Sequence, residues 1–525
     1  MINPVADDGL TESNSVGFDD EKKIGGVDLC CYVNSGLLVL MAIYFFLIPF
    51  LLMIYYLADP GIKDGEIPRF AVSVHRSISL KYERWAAERI KSGRAAELAL
   101  HDIAGTEWPV FGSFFYLLAT EELQEAWESD NNISASPPKE YAAGAIEAAA
   151  ALIADPGHAA WVKTHWGVDY LHRENVFYRM LLIGGLTSYE RLCGGGKYLD
   201  LIADQVESLS HALDESPHGL LDDYPGQCYP TDVLAAIAAI RRADAVLQTD
   251  HSDFINRSIR GFSGTLLDVT GLPPYSADSR TGAIGISRGC SSQWMTVWVP
   301  ELWPEQAKAW YDHFKEHFWQ QKYGAVGFRE FQRDMPKYDW SFDIDAGPIL
   351  AGFGASASAF GAGAARANGR FDHAYPLTAE AIVMSWPLPD GTLVIPRCLS
   401  SATDAPYVGE AGLLFALTRR PVEGIEIVKG GMLPGIVYCI PAGFFTFGFL
   451  LCSLALLRLK RHRKCARNRP VRGQSVQVIL WAILVVTGFV GCITGHLAIG
   501  ILFILFAQLL PMRLSLLRKR VPDQD

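Results

Sequence analysis

The sequence predicts an all-α protein: a ring of helical hairpins held to a membrane by four apolar helices. Three observations predict it. Four apolar runs occur, and the first two frame residues 59–430, where no comparable run appears. Helical spacing of apolar residues recurs about a dozen times between them, separated by Gly, Pro and Asp turns. Strand-like alternation is sparse there, with 391–396 the one short candidate.

The apolar runs place membrane helices at 35–58, 433–457, 475–493 and 496–512. Each approaches the ~20 residues that a helix needs to cross ~30 Å of hydrocarbon. The first is too long for a signal peptide and has no small-residue cleavage pattern, so it is expected to stay as an anchor. Pro49, Pro434 and Pro441 are tolerable, since membrane helices accept kinks. Arg458, Lys460, Arg461, Arg463 and Lys464 open a basic segment at 458–474, and Arg513, Arg518, Lys519 and Arg520 sit in 513–525. Short Lys/Arg-rich loops stay in the cytoplasm. The tail 1–34 and both basic segments are therefore expected inside, and the 59–430 domain outside, on an inner or plasma membrane. The lipid bilayer is the expected partner, with the basic loop against anionic head groups. That loop is too short and too close to the bilayer for nucleic acid.

The formal net charge is −11, and the acid excess falls in the outside domain. Of ten cysteines, Cys193, Cys228, Cys290 and Cys398 belong to that domain. An oxidising compartment permits a disulfide among them, and the spacing selects no pair. No CxxC or Cys/His ligand spacing appears, so no metal is expected. The oligomeric state stays open.

Helices are expected at 78–100, 108–127, 140–154, 168–192, 198–213, 230–247, 252–269, 293–298, 304–321, 347–367, 377–386 and 409–417. Such helices, joined by short loops, suit an inner ring packed within an outer one, the inner ends converging on one mouth. An open solenoid would carry a repeat of fixed length, and none is present. The Gly/Ala/Ser stretch 346–369 carries periodic Ile349, Leu350, Phe353 and Phe360, which argues for a closely packed inner helix.

Candidate site residues cluster in loops. The densest segment is 221–232, with Asp222, Asp223, Asp232, Tyr224, Tyr229 and Cys228. Paired carboxyls can be driven to different pKa values by burial and repulsion, one serving as acid and the other as base. Asp232 equally suits a capping place near a helix N-terminus. Trp166, Glu174 and Tyr178 form a second group, in which Glu174 and Tyr178 share a helix face or join an Arg–Glu ion network. Glu107 stands among apolar residues, as a helix-start carboxylate or a buried acid. Asp343 and Asp345 alternate ahead of the small-residue stretch, as caps or pocket walls. Cys290 and Trp294 belong to a polar loop before a helix, with no histidine in the segment to activate the thiol.

Four of these segments together resemble the linalool dehydratase/isomerase family over about 100–420. They are Glu174-Asn175-x-x-Tyr178-Arg179, Gln227-Cys228, the polar loop 287–294, and Asp343-x-Asp345-x-Gly347. The resemblance implies an (α/α)6 barrel. It implies an enzyme that protonates a tertiary hydroxyl, expels water and removes a proton, with no metal or organic cofactor. It puts Cys228 at one family cysteine, Asp222 in place of the other, Leu181 in place of a histidine, Cys290 in place of a tyrosine, and Glu107 as the early carboxylate. The expected acid is Asp222 or Asp223, its partner Glu107 or Asp345, with Cys228 beside them. Tyr178, Tyr224, Trp166, Glu174, Asp343, Cys290 and Trp294 are expected to bind a small-molecule substrate. Two alternatives stand beside this: a glycoside hydrolase or polysaccharide lyase on envelope glycans, and a non-catalytic envelope binding or assembly module.

Overall fold

The computed structural model describes residues 26–401, 403–465 and 475–493, and then 499, 500, 502–504, 506 and 507. It is mostly helical. Twelve of its helices alternate between two layers: α1 (Arg69–Ser92), α2 (Trp108–Ser129), α3 (Ala143–Ala154), α4 (Val176–Cys193), α5 (Leu199–Glu215), α6 (Pro230–Leu247), α7 (Ser252–Ser258), α8 (Gly289–Leu302), α9 (Pro304–Phe318), α10 (Ala355–Ala367), α11 (Phe371–Met384) and α12 (Val408–Thr418).

Each even-numbered helix packs against the next, and α12 returns to α2. The odd-numbered helices pack outside: α3 on α2 and α4, α5 on α4 and α6, α9 on α8, α11 on α10, and α1 on α12. Composition explains the layers. A helix apolar on all sides belongs inside, and an amphipathic one outside. In α2, Phe114 through Ala119 are all buried, whereas α5 buries Ile202, Val206, Leu209 and Leu213 at spacings of three and four. Close approach in the inner layer needs small residues, as expected for α10. A Cβ at Gly363 would meet the Ala416 backbone of α12 at 3.0 Å.

All six inner helices start at one end. Val176 N, at the head of α4, donates to the Asp222 carbonyl before α6 at 3.3 Å. Gly112 in the first turns of α2 abuts Val408, and Gly289 of α8 abuts Ala357 of α10. At the opposite end an ion network ties the helices together. Arg242 of α6 reaches Glu121 of α2 at 2.9 Å, and Arg419 reaches Glu122 at 2.9 Å and also Glu301 of α8. Arg191 of α4 pairs with Glu121 and Glu125.

The chief departure from the expected elements lies at 319–354. The end of the 304–321 helix is instead a hairpin of β1 (Trp319–Lys322) and β2 (Ala325–Phe328). Residues expected to open a helix at 347 form β3 (Trp340–Asp343), β4 (Gly347–Leu350) and β5 (Phe353–Gly354), an antiparallel sheet. Gly347 at φ +70° and Gly352 at φ +90° turn the chain where a helix would run, so α10 begins only at Ala355. Asp343–Gly347 is thus a hairpin turn, not a helix start. Residues 394–396, expected in a strand, open a helix, Val394–Ser400. The helices expected at 78–100 and 252–269 end at Ser92 and Ser258.

Among the described residues two helices are long and apolar enough to cross a membrane: Tyr32–Leu57 and Gly435–Arg461. They pair through Phe46 with Phe444 and Phe447, and through Phe50 with Phe445. A third helix, Ser475–Ile493, contacts the first through a Trp481–Asn34 hydrogen bond of 2.9 Å. Most of the fourth expected crossing, much of the 458–474 loop and the 513–525 tail lie outside the described residues. A hydrogen bond with a clear cause ties the first of these helices to the ring. Pro49 has no N–H to give the Phe45 carbonyl, and Trp386 Nε1 donates to that carbonyl at 2.8 Å.

Candidate active site

Glu107, just before α2, is partly buried and accepts a 2.6 Å hydrogen bond from the Tyr224 hydroxyl. Burial pushes its pKa up to about 7 against that hydrogen bond, and the nearby Asp345 carboxylate adds to the rise. Tyr224 is held by ring contacts with Trp161 and His165.

Asp232, in the first turn of α6, is likewise pushed up to about 7 by burial, with Asp345 and Glu107 raising it further. The Trp294 side chain hydrogen-bonds it and works the other way. Asp223 is buried at 1 % exposure. One oxygen accepts from Tyr229 N at 2.9 Å, and the other has no partner. Burial and the neighbouring Asp232 drive its pKa well up. Asp345 is exposed on the hairpin turn and accepts from the Tyr275 hydroxyl at 2.5 Å. Tyr275 in turn packs edge-on against Tyr229, whose hydroxyl is pushed up to about 12 by burial. Four acidic side chains from distant parts of the chain thus meet at the end where the inner helices begin.

Beneath Asp232, Trp294 belongs to an aromatic floor. Its ring meets Phe111, Phe115, Phe360 and Phe415 at centroid distances of 5.7–6.4 Å. Arg288 is built into the rim. It bonds Glu330 at 2.7 Å and Asp343 at 3.1 Å, and its guanidinium lies 4.4 Å from the Tyr275 ring centroid.

Several expected site residues are engaged elsewhere. Asp222 is a turn carboxylate: it accepts from Gly226 N at 2.7 Å and Ser279 Oγ at 2.7 Å. Both oxygens are committed, which takes it out of the acid role. Glu174 accepts from Asp222 N at 2.6 Å and fastens the loop from below. Tyr178 donates to the Ile153 carbonyl at 3.3 Å, so its hydroxyl faces the α3 interface and not the acids. Trp166 Nε1 donates to the Asp223 carbonyl at 3.2 Å. Asp343 holds the hairpin turn through Asp345 N and Ala346 N; burial opposes its ionisation, but Arg288 keeps it below the usual range. Cys228 is buried, and burial among Asp223, Asp222 and Asp232 drives its thiol up, so it stays protonated. Cys290 is also buried and raised, with Glu330 accepting from its backbone N at 3.1 Å. Cys193, Cys228, Cys290 and Cys398 are all free thiols.

Asp232, read from the sequence chiefly as a helix-capping residue, is instead a member of this acidic group. Its signal was the Pro230-Thr231-Asp232 start of an inner helix. A second overlooked signal is His313-x-x-Glu316-His317 on α9, whose ligand atoms lie within 4.8 Å of one another. A cavity of about 370 Å³ lies beside the hairpin, lined by Ile286, Phe331, Met335, Pro336 and Tyr338; a more polar one of about 500 Å³ borders Arg191, Arg242 and Glu301. Neither is lined by Glu107 or Asp232. No family model and no curated protein compared with the chain matches it.

Proposed function

We propose that the chain is a membrane-anchored acid/base enzyme, a lyase or isomerase similar to linalool dehydratase/isomerase, on an (α/α)6 barrel outside the cytoplasm. In this reading the four crossings keep the basic segments inside. The observation that carries it is the pair Glu107 and Asp232: two carboxyls near pKa 7, within electrostatic reach of each other, above an aromatic floor. Catalytic acids and bases work best when their pKa lies near the working pH.

Asp232, crowded by other carboxyls, favours its protonated form and donates to a substrate hydroxyl. The C–O bond breaks and water leaves. The cation forms over Trp294 and its phenylalanine neighbours, whose ring faces attract positive charge. Glu107, ionised with Tyr224 donating to it, takes a proton from the adjacent carbon, and an alkene forms. Return of water at another carbon would give the isomer. The apolar floor favours an apolar alcohol over a glycan.

The test uses the full chain in nanodiscs with tertiary and primary allylic terpenols. Consumption is expected, with a bell-shaped pH profile. Asp232→Asn and Glu107→Gln should each lower turnover by about 10²–10⁴-fold. Unaltered turnover in both variants, or no alcohol consumed, overturns the reading.

A further inference from the structure

The ring treats its two ends differently in exposed apolar residues. Among the described residues, five of the six connections that lead into inner helices expose a large hydrophobic side chain. Leu100, Val168, Val269, Phe342 and Leu399 are one from each, at 41, 95, 93, 74 and 64 % exposure. At the opposite end five connections, 130–142, 194–198, 248–251, 303 and 368–370, expose none, and the sixth, 419–434, which leads from α12 to the second apolar helix, exposes Ile427, Val428 and Met432 at 38, 39 and 87 %. Single exposed apolar residues are ordinary; a set spread over five of the six connections at one end is not.

The membrane helices run past that same end. Met53 and Val437 pack on Ala379 and Val383 of α11. Trp386, just after α11, meets Phe45, Phe46 and Phe444. Beyond this level the second apolar helix continues from Phe444 to Leu457, after which Arg458 begins the basic run, and the first continues from Phe45 back to Gly26. Thirteen residues at 1.5 Å each make about 20 Å in the second helix. The hydrocarbon layer needs ~30 Å. About 10 Å of it must therefore lie on the domain side of Trp386, at the height of the ring's mouth.

We propose that the mouth end rests in the head-group and outer acyl layer of the bilayer, and that the site draws its substrate sideways from the lipid phase. The occupant of the apolar rim is lipid. Interfacial elements bury apolar side chains ~5–10 Å into this layer, which matches the depth derived from the second helix. Arg280, Arg333 and Lys337 are exposed on the same loops, where they can meet phosphate groups. The β3–β4 hairpin lies nearest the chemistry: Phe342 and Trp340 are exposed on it while Asp345 at its tip bonds Tyr275. The substrate half of the proposal rests on the acid/base reading above. It narrows that substrate to a membrane-dissolved amphiphile, a hydroxyl head on an apolar chain.

The test places p-benzoylphenylalanine at Phe342, Val269 or Leu399, and at Asn132 on the opposite end, in the full chain reconstituted in phosphatidylethanolamine/phosphatidylglycerol vesicles. Irradiation should give about ten-fold more lipid adduct at the three mouth positions than at Asn132, as shallow acyl contact requires. Equal yields at both ends overturn the proposal, and three mouth positions guard against one that fails to fold. Adducts without consumption of any allylic alcohol would leave the docking standing and remove the acid/base reading. Consumption without adducts would do the reverse. With both present, Phe342→Ser should raise KM for a vesicle-partitioned alcohol and spare kcat; an unchanged KM would remove lateral entry.

Discussion

The two ends of the ring hold buried acids in opposite ways. At the far end Glu121 is almost fully buried, and burial alone would raise it. Arg242 and Arg191, with the Ser188 hydroxyl, more than offset that and hold it below the usual range. At the mouth Glu107 and Asp232 have hydroxyl or indole donors but no arginine, and both rise to about 7. The same residue types give an arginine-held ion pair at Glu121 and at the rim's Glu330, and groups able to exchange protons near neutrality at Glu107 and Asp232. Between Glu121 and the pair Glu107 and Asp232 the difference is the arginines that face Glu121.

The largest effect expected from this contrast is on stability. Arg242→Met would leave Glu121 and Glu301 short of their partner in a buried setting, at a cost of about 3–5 kcal/mol. Chemical denaturation of the solubilised chain measures it. The mouth should behave with opposite sign. Glu107 and Asp232 hold protons in the folded chain between about pH 4.5 and 7 that the unfolded chain has already released. Their contribution is present at low pH and is lost as pH rises through about 7. Glu107→Gln should therefore leave Tm unchanged near pH 4.5 and raise it by about 2–4 °C at pH 8. A loss of Tm at pH 8 would put Glu107 with the structural acids.

How much of this the sequence carried depends on the length of each signal. Helices longer than three turns repeat their apolar spacing often enough to be read, and the alternation of inner and outer layers followed. The five strands span two to four residues each, too short for a period to establish itself, and their turns hide among glycines that look like helix packing. Glu107 was legible because its neighbours are apolar. Asp222 misled because adjacency to Asp223 suggested a pair, whereas successive side chains diverge and Asp222 turns into its own loop. Asp232 was discounted because an acid in a helix's first turn has an ordinary explanation in the helix dipole. Only the fold brings Glu107 and Asp345 up to it. The arginines at the far end gave no local signal, since Arg419 meets Glu122 across almost three hundred residues.

The smallest expected effect is the sharpest test of the comparison, because it changes one hydroxyl at each end. Tyr224 donates to Glu107 at 2.6 Å, and Ser188 donates to Glu121 at 2.5 Å. Each bond favours the ionised acid, and hydrogen bonds to charged groups contribute about 1.5–3 kcal/mol. Tyr224→Phe removes one of the few groups that favour Glu107 ionisation, so its pKa rises further. Since Glu107 must be ionised to accept a proton, the acid limb of the pH–rate profile should move to higher pH. Turnover should fall at pH 7, and because the basic limb set by Asp232 stays in place, the bell should narrow from its acid side. Ser188→Ala removes an equivalent bond, but Arg242 and Arg191 still hold Glu121 ionised, so the profile should stay in place with only a small loss of Tm. If both variants shift the profile equally, the two ends are not chemically distinct, and cation pairing is not what sets the mouth apart.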